Sequence, residues 1–116
     1  MPLCEVISSA AFIDCQDLET VSLSACKLIG INAFKFCSML TKLYLYNSIV
    51  TTLSSTDAFS STPIGGYSDW AGQYGAIYVP SSLYEQYLNA DNWSNFASRI
   101  RSMTTWGNNY DRIFIN

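Results

Sequence analysis

The stretch Ala11–Phe34, AFIDCQDLETVSLSACKLIGINAF, opens and closes on the same Ala-Phe pair, and its contents are copied directly afterwards. Phe12 returns as Phe34, Cys15 as Cys37, Leu18 as Leu40, Val21 as Leu43 and Leu23 as Leu45, each 22 residues on. The register also runs upstream, where Cys4, Ile7 and Ala11 map onto Cys26, Ile29 and Ala33. A period in the twenties marks stacked supersecondary units, each too small to bury its apolar face alone.

Inside each copy the hydropathy alternates. Glu19–Ser24 and its counterpart Thr41–Tyr46 interleave polar and apolar residues, which predicts parallel, in-register strands burying Val21, Leu23, Leu43 and Leu45. The spacing of three in Phe12-Cys15-Leu18 and Phe34-Cys37-Leu40 predicts a short helical or 3₁₀ turn on the return leg of each coil. Phe34 to Phe59 spans 25 residues, so the third coil is expected to carry a small insertion between Asn47 and Thr52. A turn-rich loop, Ser60–Tyr67, then leads through Trp70 to Ala76–Pro80. There Ile77 and Val79 take the strand-core places, and this segment is expected to be the last strand of the sheet.

From Ser81 the period becomes helical. Ser81 or Ser82 is expected to cap a helix with Leu83, Tyr84, Tyr87 and Leu88 on one face. Asn89–Asn92 leads into a shorter helix carrying Trp93, Phe96 and Ile100, and the pair is expected to close the last coil. The chain thus divides into repeats over 1–80 and a helical cap and tail over 81–116. The tail from Ser102 reads either as an edge strand or as partly ordered.

Composition excludes several function classes. A net charge of −3, with a sequence pI near 4.5, leaves no basic stripe to neutralise phosphates or to dock on an anionic bilayer. Apolar runs fall short of a membrane-spanning helix, so no membrane insertion is expected, and the N-terminus lacks the basic and apolar regions of a signal peptide. Pro2-Leu3-Cys4 aligns with Ser24-Ala25-Cys26, so the chain is expected to open within a repeat, as part of a longer parent or as a short protein with an open end.

The four cysteines form two repeat-related pairs, Cys4 with Cys26 and Cys15 with Cys37. Stacked coils place such residues about 4.8 Å apart with parallel side-chain vectors, which opposes a disulfide and predicts a ladder of small buried thiols. Without histidine or a C-x-x-C spacing no zinc site is expected, and no cofactor. No G-x-S-x-G and no phosphate-binding glycine loop occurs; Asp14, Asp17 and Glu19 read as a solvated turn, so no enzyme is expected.

These residues resemble the repeat of the BspA-like leucine-rich repeat proteins, approximately L-x-x-[IVL]-x-[IL]-P-x-x-[VCL]-x-x-I-x-x-x-A-F-x-x-C. It appears here as Leu18, Val21, Leu23, Cys26, Ile29, Ala33-Phe34 and Cys37, continuing as Leu40, Leu43 and Leu45. The ending Ile77-Tyr78-Val79-Pro80 through Trp93 to Ile100 is similar to that of the family. The family's proline after the strand is replaced by Ser24 and Tyr46, and Thr62 stands where the third copy would carry cysteine. The resemblance covers roughly residues 3 to 100. It implies an α/β fold: a right-handed leucine-rich-repeat solenoid with a short parallel β-sheet on its concave face and a helical C-terminal cap. It further implies a bacterial cell-surface or secreted protein that contacts a host or neighbouring-cell protein.

Strand alternation turns Thr20, Ser22 and Ser24, then Lys42, Tyr44 and Tyr46, then Ala76 and Tyr78 outward. Stacking sets Ser22, Tyr44 and Tyr78 side by side, flanked by Lys42 and Tyr46, and these five are the candidate ligand-binding residues. The same tyrosines serve equally as cross-strand packing that only stabilises the sheet. Tyr67, Trp70 and Tyr74 extend the patch or tuck beneath the cap, the tuck being expected for Trp70. Three roles follow: a protein-interaction module, a purely structural cap of a longer solenoid, or carbohydrate recognition through the tyrosine stripe. An open first coil, with apolar Leu3, Val6 and Phe12 and a bare strand edge at Val21–Leu23, predicts weak self-association.

Overall fold

The computed structural model describes residues 6–66, 74–103 and 114–115. Five very short or short strands come first: β1 (Val6–Ile7), β2 (Thr20–Leu23), β3 (Leu28–Ile29), β4 (Lys42–Leu45) and β5 (Thr52–Leu53). They are followed by β6 (Ala76–Pro80), helix α1 (Tyr84–Asn89), β7 (Ile100–Met103) and β8 (Phe114–Ile115). Segments of 3₁₀ helix occupy Thr56–Phe59, Ser81–Leu83 and Trp93–Arg99, the last broken at Phe96. The class is mixed α/β, built on two sheets. One has the order β1-β3-β5 and is parallel throughout; the other has the order β2-β4-β6-β7-β8 and is parallel except for its last pair.

The 22-residue spacing read from the sequence is the pairing register itself. Val6 lies opposite Leu28, and Thr20, Val21, Ser22 and Leu23 lie opposite Lys42, Leu43, Tyr44 and Leu45. The insertion also falls where expected: Leu28 pairs with Thr52, an offset of 24, so two residues are added between Leu45 and Thr52. Leu23, Leu43, Leu45, Ile77 and Val79 are buried between the sheets, together with Ile7, Ile29 and Leu53 from the smaller one. Val21, on the outermost strand β2, is only half-buried.

Three sequence readings differ from the structure, and a fourth is refined. The return leg, expected as a short helical or 3₁₀ turn, is a run of separate i→i+3 turns over Ala33–Leu40, with N–H of Ala33, Lys35, Cys37 and Leu40 donating to carbonyls three residues back. Asn32 and Phe36 adopt left-handed φ of 61° and 64°, as do Ala10 and Asp14 one coil earlier (58° and 62°), and such residues end a helix at once. The leg also holds the smaller sheet, which two-residue strands cannot announce by alternation. Ala76–Pro80 is not the last strand, since Ile77, Tyr78, Val79 and Pro80 pair in parallel with Ile100, Arg101, Ser102 and Met103. Residues after 80 therefore return to the sheet, and Ile100 belongs to a strand. Finally, neither Ser81 nor Ser82 caps α1; they lie in the 3₁₀ turn before it, and no side-chain cap bond is made.

Along the return legs, successive coils are joined by turn hydrogen bonds of one sense. The N–H groups of Ala10, Phe12 and Asp14 donate to the carbonyls of Ile31, Ala33 and Lys35 (2.9, 2.8 and 2.7 Å), and those of Phe34 and Phe36 to Ala58 and Ser60. Beneath these turns Phe12, Phe34 and Phe59 stack at 5.5 and 5.8 Å, within 4° of parallel. Phe96 meets the Phe59 end edge-on at 5.5 Å, and Trp93 lies tilted beside it at 6.1 Å. The helical segment thus packs over the end of the aromatic ladder.

Candidate functional site

The insertion is held by a buried polar cluster. Asn47 accepts from the Cys26 N–H at 3.1 Å and donates through Nδ2 to the Cys26 carbonyl and to Thr51 Oγ1. The Thr51 hydroxyl donates to the Cys26 carbonyl (2.8 Å), its N–H to the Tyr87 hydroxyl (3.0 Å), and its carbonyl accepts from Trp93 Nε1 (2.6 Å). Two aromatic side chains from the C-terminal segment thereby clasp the backbone of Thr51 on both sides in the irregular coil. Asn92 adds a bond from Nδ2 to the Leu53 carbonyl, 2.6 Å. Burial pushes the Tyr87 hydroxyl above its ordinary range, although the Thr51 bonds act the other way. No signal in the sequence marked Asn47 and Thr51 beyond their place in the insertion.

The described cysteines are free thiols, Cys26 and Cys37 fully buried and Cys15 partly so; Cys4 lies outside the described residues. The Cys37 thiol donates to the Phe12 carbonyl at 3.0 Å and that of Cys26 to the Leu28 carbonyl at 3.3 Å. Burial raises Cys37 above the usual thiol range, so it stays protonated and inert. Thr62, in the cysteine position of the third coil, is likewise buried and bonds the Phe59 carbonyl at 2.7 Å. Asp14, Asp17 and Glu19 are exposed, with Asp14 bonded to Gln16 Nε2 at 2.8 Å. Among the described residues no group of three or more potential metal ligands comes together, and no helix is long and apolar enough to cross a membrane.

The predicted tyrosine row is assembled by the larger sheet. Ser22 on β2, Tyr44 on β4 and Tyr78 on β6 are register partners in line. The Tyr44 and Tyr78 rings stack at 4.8 Å and 16°, and Tyr44 and Tyr46 at 6.0 Å and 7°. All three tyrosines are half-buried rather than exposed, while Ser22 and Lys42 are exposed. Tyr46 follows β4, its N–H donating to the Leu23 carbonyl at 2.8 Å. Ser24 stands apart, past the end of β2, in a cleft of about 190 Å³ shared with Lys27, Asn47 and Ile49. Tyr74 is exposed and lies under the Arg99 guanidinium at 4.6 Å; Tyr67 and Trp70 fall outside the described residues.

One member of the row was missed. Arg101 on β7 is the register partner of Tyr78, so the line reads Ser22, Tyr44, Tyr78, Arg101. The sequence hides it because Trp93, Phe96 and Ile100 carry a helical spacing up to the start of its strand. Comparison with protein-family models, with curated proteins and with solved structures finds no match.

Proposed function

We propose that this chain is a non-catalytic protein-interaction module of a bacterial cell-surface or secreted leucine-rich repeat protein. Its coils would form a right-handed solenoid of the BspA-like kind, binding a protein partner through the concave face of the larger sheet. The observation that carries this reading is the continuous tyrosine stack on positions that strand alternation turns away from the core, with Lys42 and Ser22 exposed beside it. Rigid aromatic side chains give large contact area at small entropic cost, which suits an interface core. The stacking also favours protein over carbohydrate, because a sugar ring packs on an open aromatic face and those of Tyr44 lie against Tyr78 and Tyr46.

A second reading, a structural cap of a longer solenoid, draws support from the way Trp93 and Phe96 close over Phe59. Panning a random-peptide display library on the folded chain, then counter-panning on a Tyr44→Ala/Tyr78→Ala variant of matched circular dichroism, separates the two. Sequences retained by the parent and lost on the variant are expected. A pool that binds both proteins alike would leave the cap as the surviving role.

A further inference from the structure

Two residues after each stacked phenylalanine the backbone turns left-handed: Asp14, Phe36 and Ser61 take φ of 62°, 64° and 58° in successive coils. All three are exposed, and their coils are tied together beneath them. The Asp14 N–H donates to the Lys35 carbonyl at 2.7 Å, and the Phe36 N–H to the Ser60 carbonyl at 3.0 Å. Gln16 and Ser38 stand two positions further along the first two coils. These five residues line a cleft of about 270 Å³ on the return legs, and none of them belongs to the tyrosine row.

The lining is one aromatic ring in a polar frame. Phe36 is 45% exposed and, among the described residues, stacks on no other ring. Lys35 Nζ lies 5.2 Å from its centre, so the ring already serves one cation and is a poor seat for another. Gln16 Nε2 donates to Asp14 Oδ1 at 2.8 Å, which holds the amide and the carboxylate side by side. Asp14 Oδ2, Gln16 Oε1 and the second Nε2 hydrogen are left for a ligand, and the Ser38 and Ser61 hydroxyls bond no described protein group. An anion would meet the Asp14 carboxylate. A peptide strand would find no ladder to join, because the Asp14 and Phe36 N–H groups are spent between coils. A sugar ring fits: its patch of C–H groups packs on an exposed aromatic ring, and its hydroxyls both donate and accept.

We propose that this cleft binds a neutral saccharide, whose ring packs on Phe36 while its hydroxyls bond Asp14, Gln16, Ser38 and Ser61. The site is separate from the protein-interaction face and goes beyond that reading. Its volume, about 270 Å³, lies just under the range of about 300–1,000 Å³ for small-molecule pockets, so it seats a short stretch of glycan without enclosing it.

Titrating the full chain with maltotriose, cellotriose, mannotriose and triacetylchitotriose at millimolar concentration, followed by amide NMR shifts, tests this. At least one glycan is expected to move the amides of Asp14, Gln16, Phe36, Ser38 and Ser61 and to leave those of Tyr44 and Tyr78 in place. Phe36→Ala should weaken that glycan at least about fivefold, in a backbone conformation that Ala10 already adopts at φ 58°. Asp14→Asn, which suits the same left-handed geometry, should weaken it about threefold. Tyr44→Ala/Tyr78→Ala should leave glycan affinity unchanged, so the two sites stand or fall separately. No shift at these residues with any of the glycans, or binding that Phe36→Ala leaves intact, overturns the proposal. Heparin preferred to every neutral glycan, with the same dependence on Phe36, assigns the cleft to an anionic saccharide and also overturns it.

Discussion

Replacing Asn47 by alanine should cost this small domain a large part of its stability. The side chain is buried and serves both the N–H and the carbonyl of Cys26 as well as the Thr51 hydroxyl. After truncation the Cys26 carbonyl and the Thr51 hydroxyl still have each other at 2.8 Å, but the Cys26 N–H, bonded at 3.1 Å, loses its acceptor. An orphaned buried donor costs about 1–3 kcal/mol, and the space left by the amide adds about 1 kcal/mol. The expected loss is therefore about 2–4 kcal/mol, against a total of about 5–15 for a domain of this kind. With an unfolding entropy of about 2.1 cal/mol/K per residue over 116 residues, about 0.24 kcal/mol/K, the melting temperature should fall by about 8–16 °C. Thermal unfolding followed by circular dichroism, with urea titration as a check on the slope m, measures it. Thr51→Val and the double variant complete a cycle, in which a coupling of about 0.5–3 kcal/mol between the two side chains is expected. A fall of less than about 3 °C for Asn47→Ala, or strict additivity in the cycle, would refute the assignment of the cluster as the fastening of the irregular coil.

Other outcomes follow from the same contacts. Gly30→Ala would bring a Cβ to 2.6 Å from the Ser9 nitrogen and 2.9 Å from the Ile7 carbonyl oxygen. Overpacking against backbone should cost about 2–3 kcal/mol by urea unfolding, and a neutral result would mean that the first two coils are not so closely packed. Cys37 and Tyr87 both have thiol or hydroxyl ionisation raised by burial above the ordinary 9.0 and 10.0, so the unfolded chain loses those protons first. Stability should be full below pH 9 and fall as pH rises beyond it, steepening past pH 10; a melting temperature flat to pH 11 would contradict this. The outermost strand β2 carries half-buried Val21, while Val6 and Phe12 nearby are exposed. Weak self-association is expected by sedimentation at millimolar protein and should be suppressed by Thr20→Lys on that edge, whereas a strictly monomeric parent would remove the basis of the idea.

The larger sheet was legible because its strands repeat one alternating pattern at a fixed offset, which determines both face and register. The Ser22-Tyr44-Tyr78 line followed from that alone. The smaller sheet escaped notice because each strand has two residues and only one of them, Ile7, Ile29 or Leu53, points inward in a way hydropathy can show. Strand β7 is hidden by a competing period: Trp93, Phe96 and Ile100 satisfy helical spacing, although the helical segment breaks at Phe96 and the strand begins at Ile100. With β7 went Arg101, the fourth position of the Ser22-Tyr44-Tyr78 line. Left-handed Ala10, Asp14, Asn32, Phe36 and Ser61 had no glycine to announce them, and their recurrence is visible only in the backbone.

The bonds between neighbouring return legs have one sense, and this gives that row of turns a head and a tail. Every such N–H points toward the following coil, so the carbonyls of Ser9, Ala11 and Ile13 occupy the acceptor positions filled one coil later by Ile31, Ala33 and Lys35. A coil added before β2 in the same orientation would bring donors to those acceptors. Two copies meeting edge to edge at β2 bring their return-leg acceptor rows together, and those rows cannot pair. Growth by like-oriented coils is thus chemically matched, while head-to-head union is frustrated along its turns, and an association confined to the β2 edge stays weak for that reason.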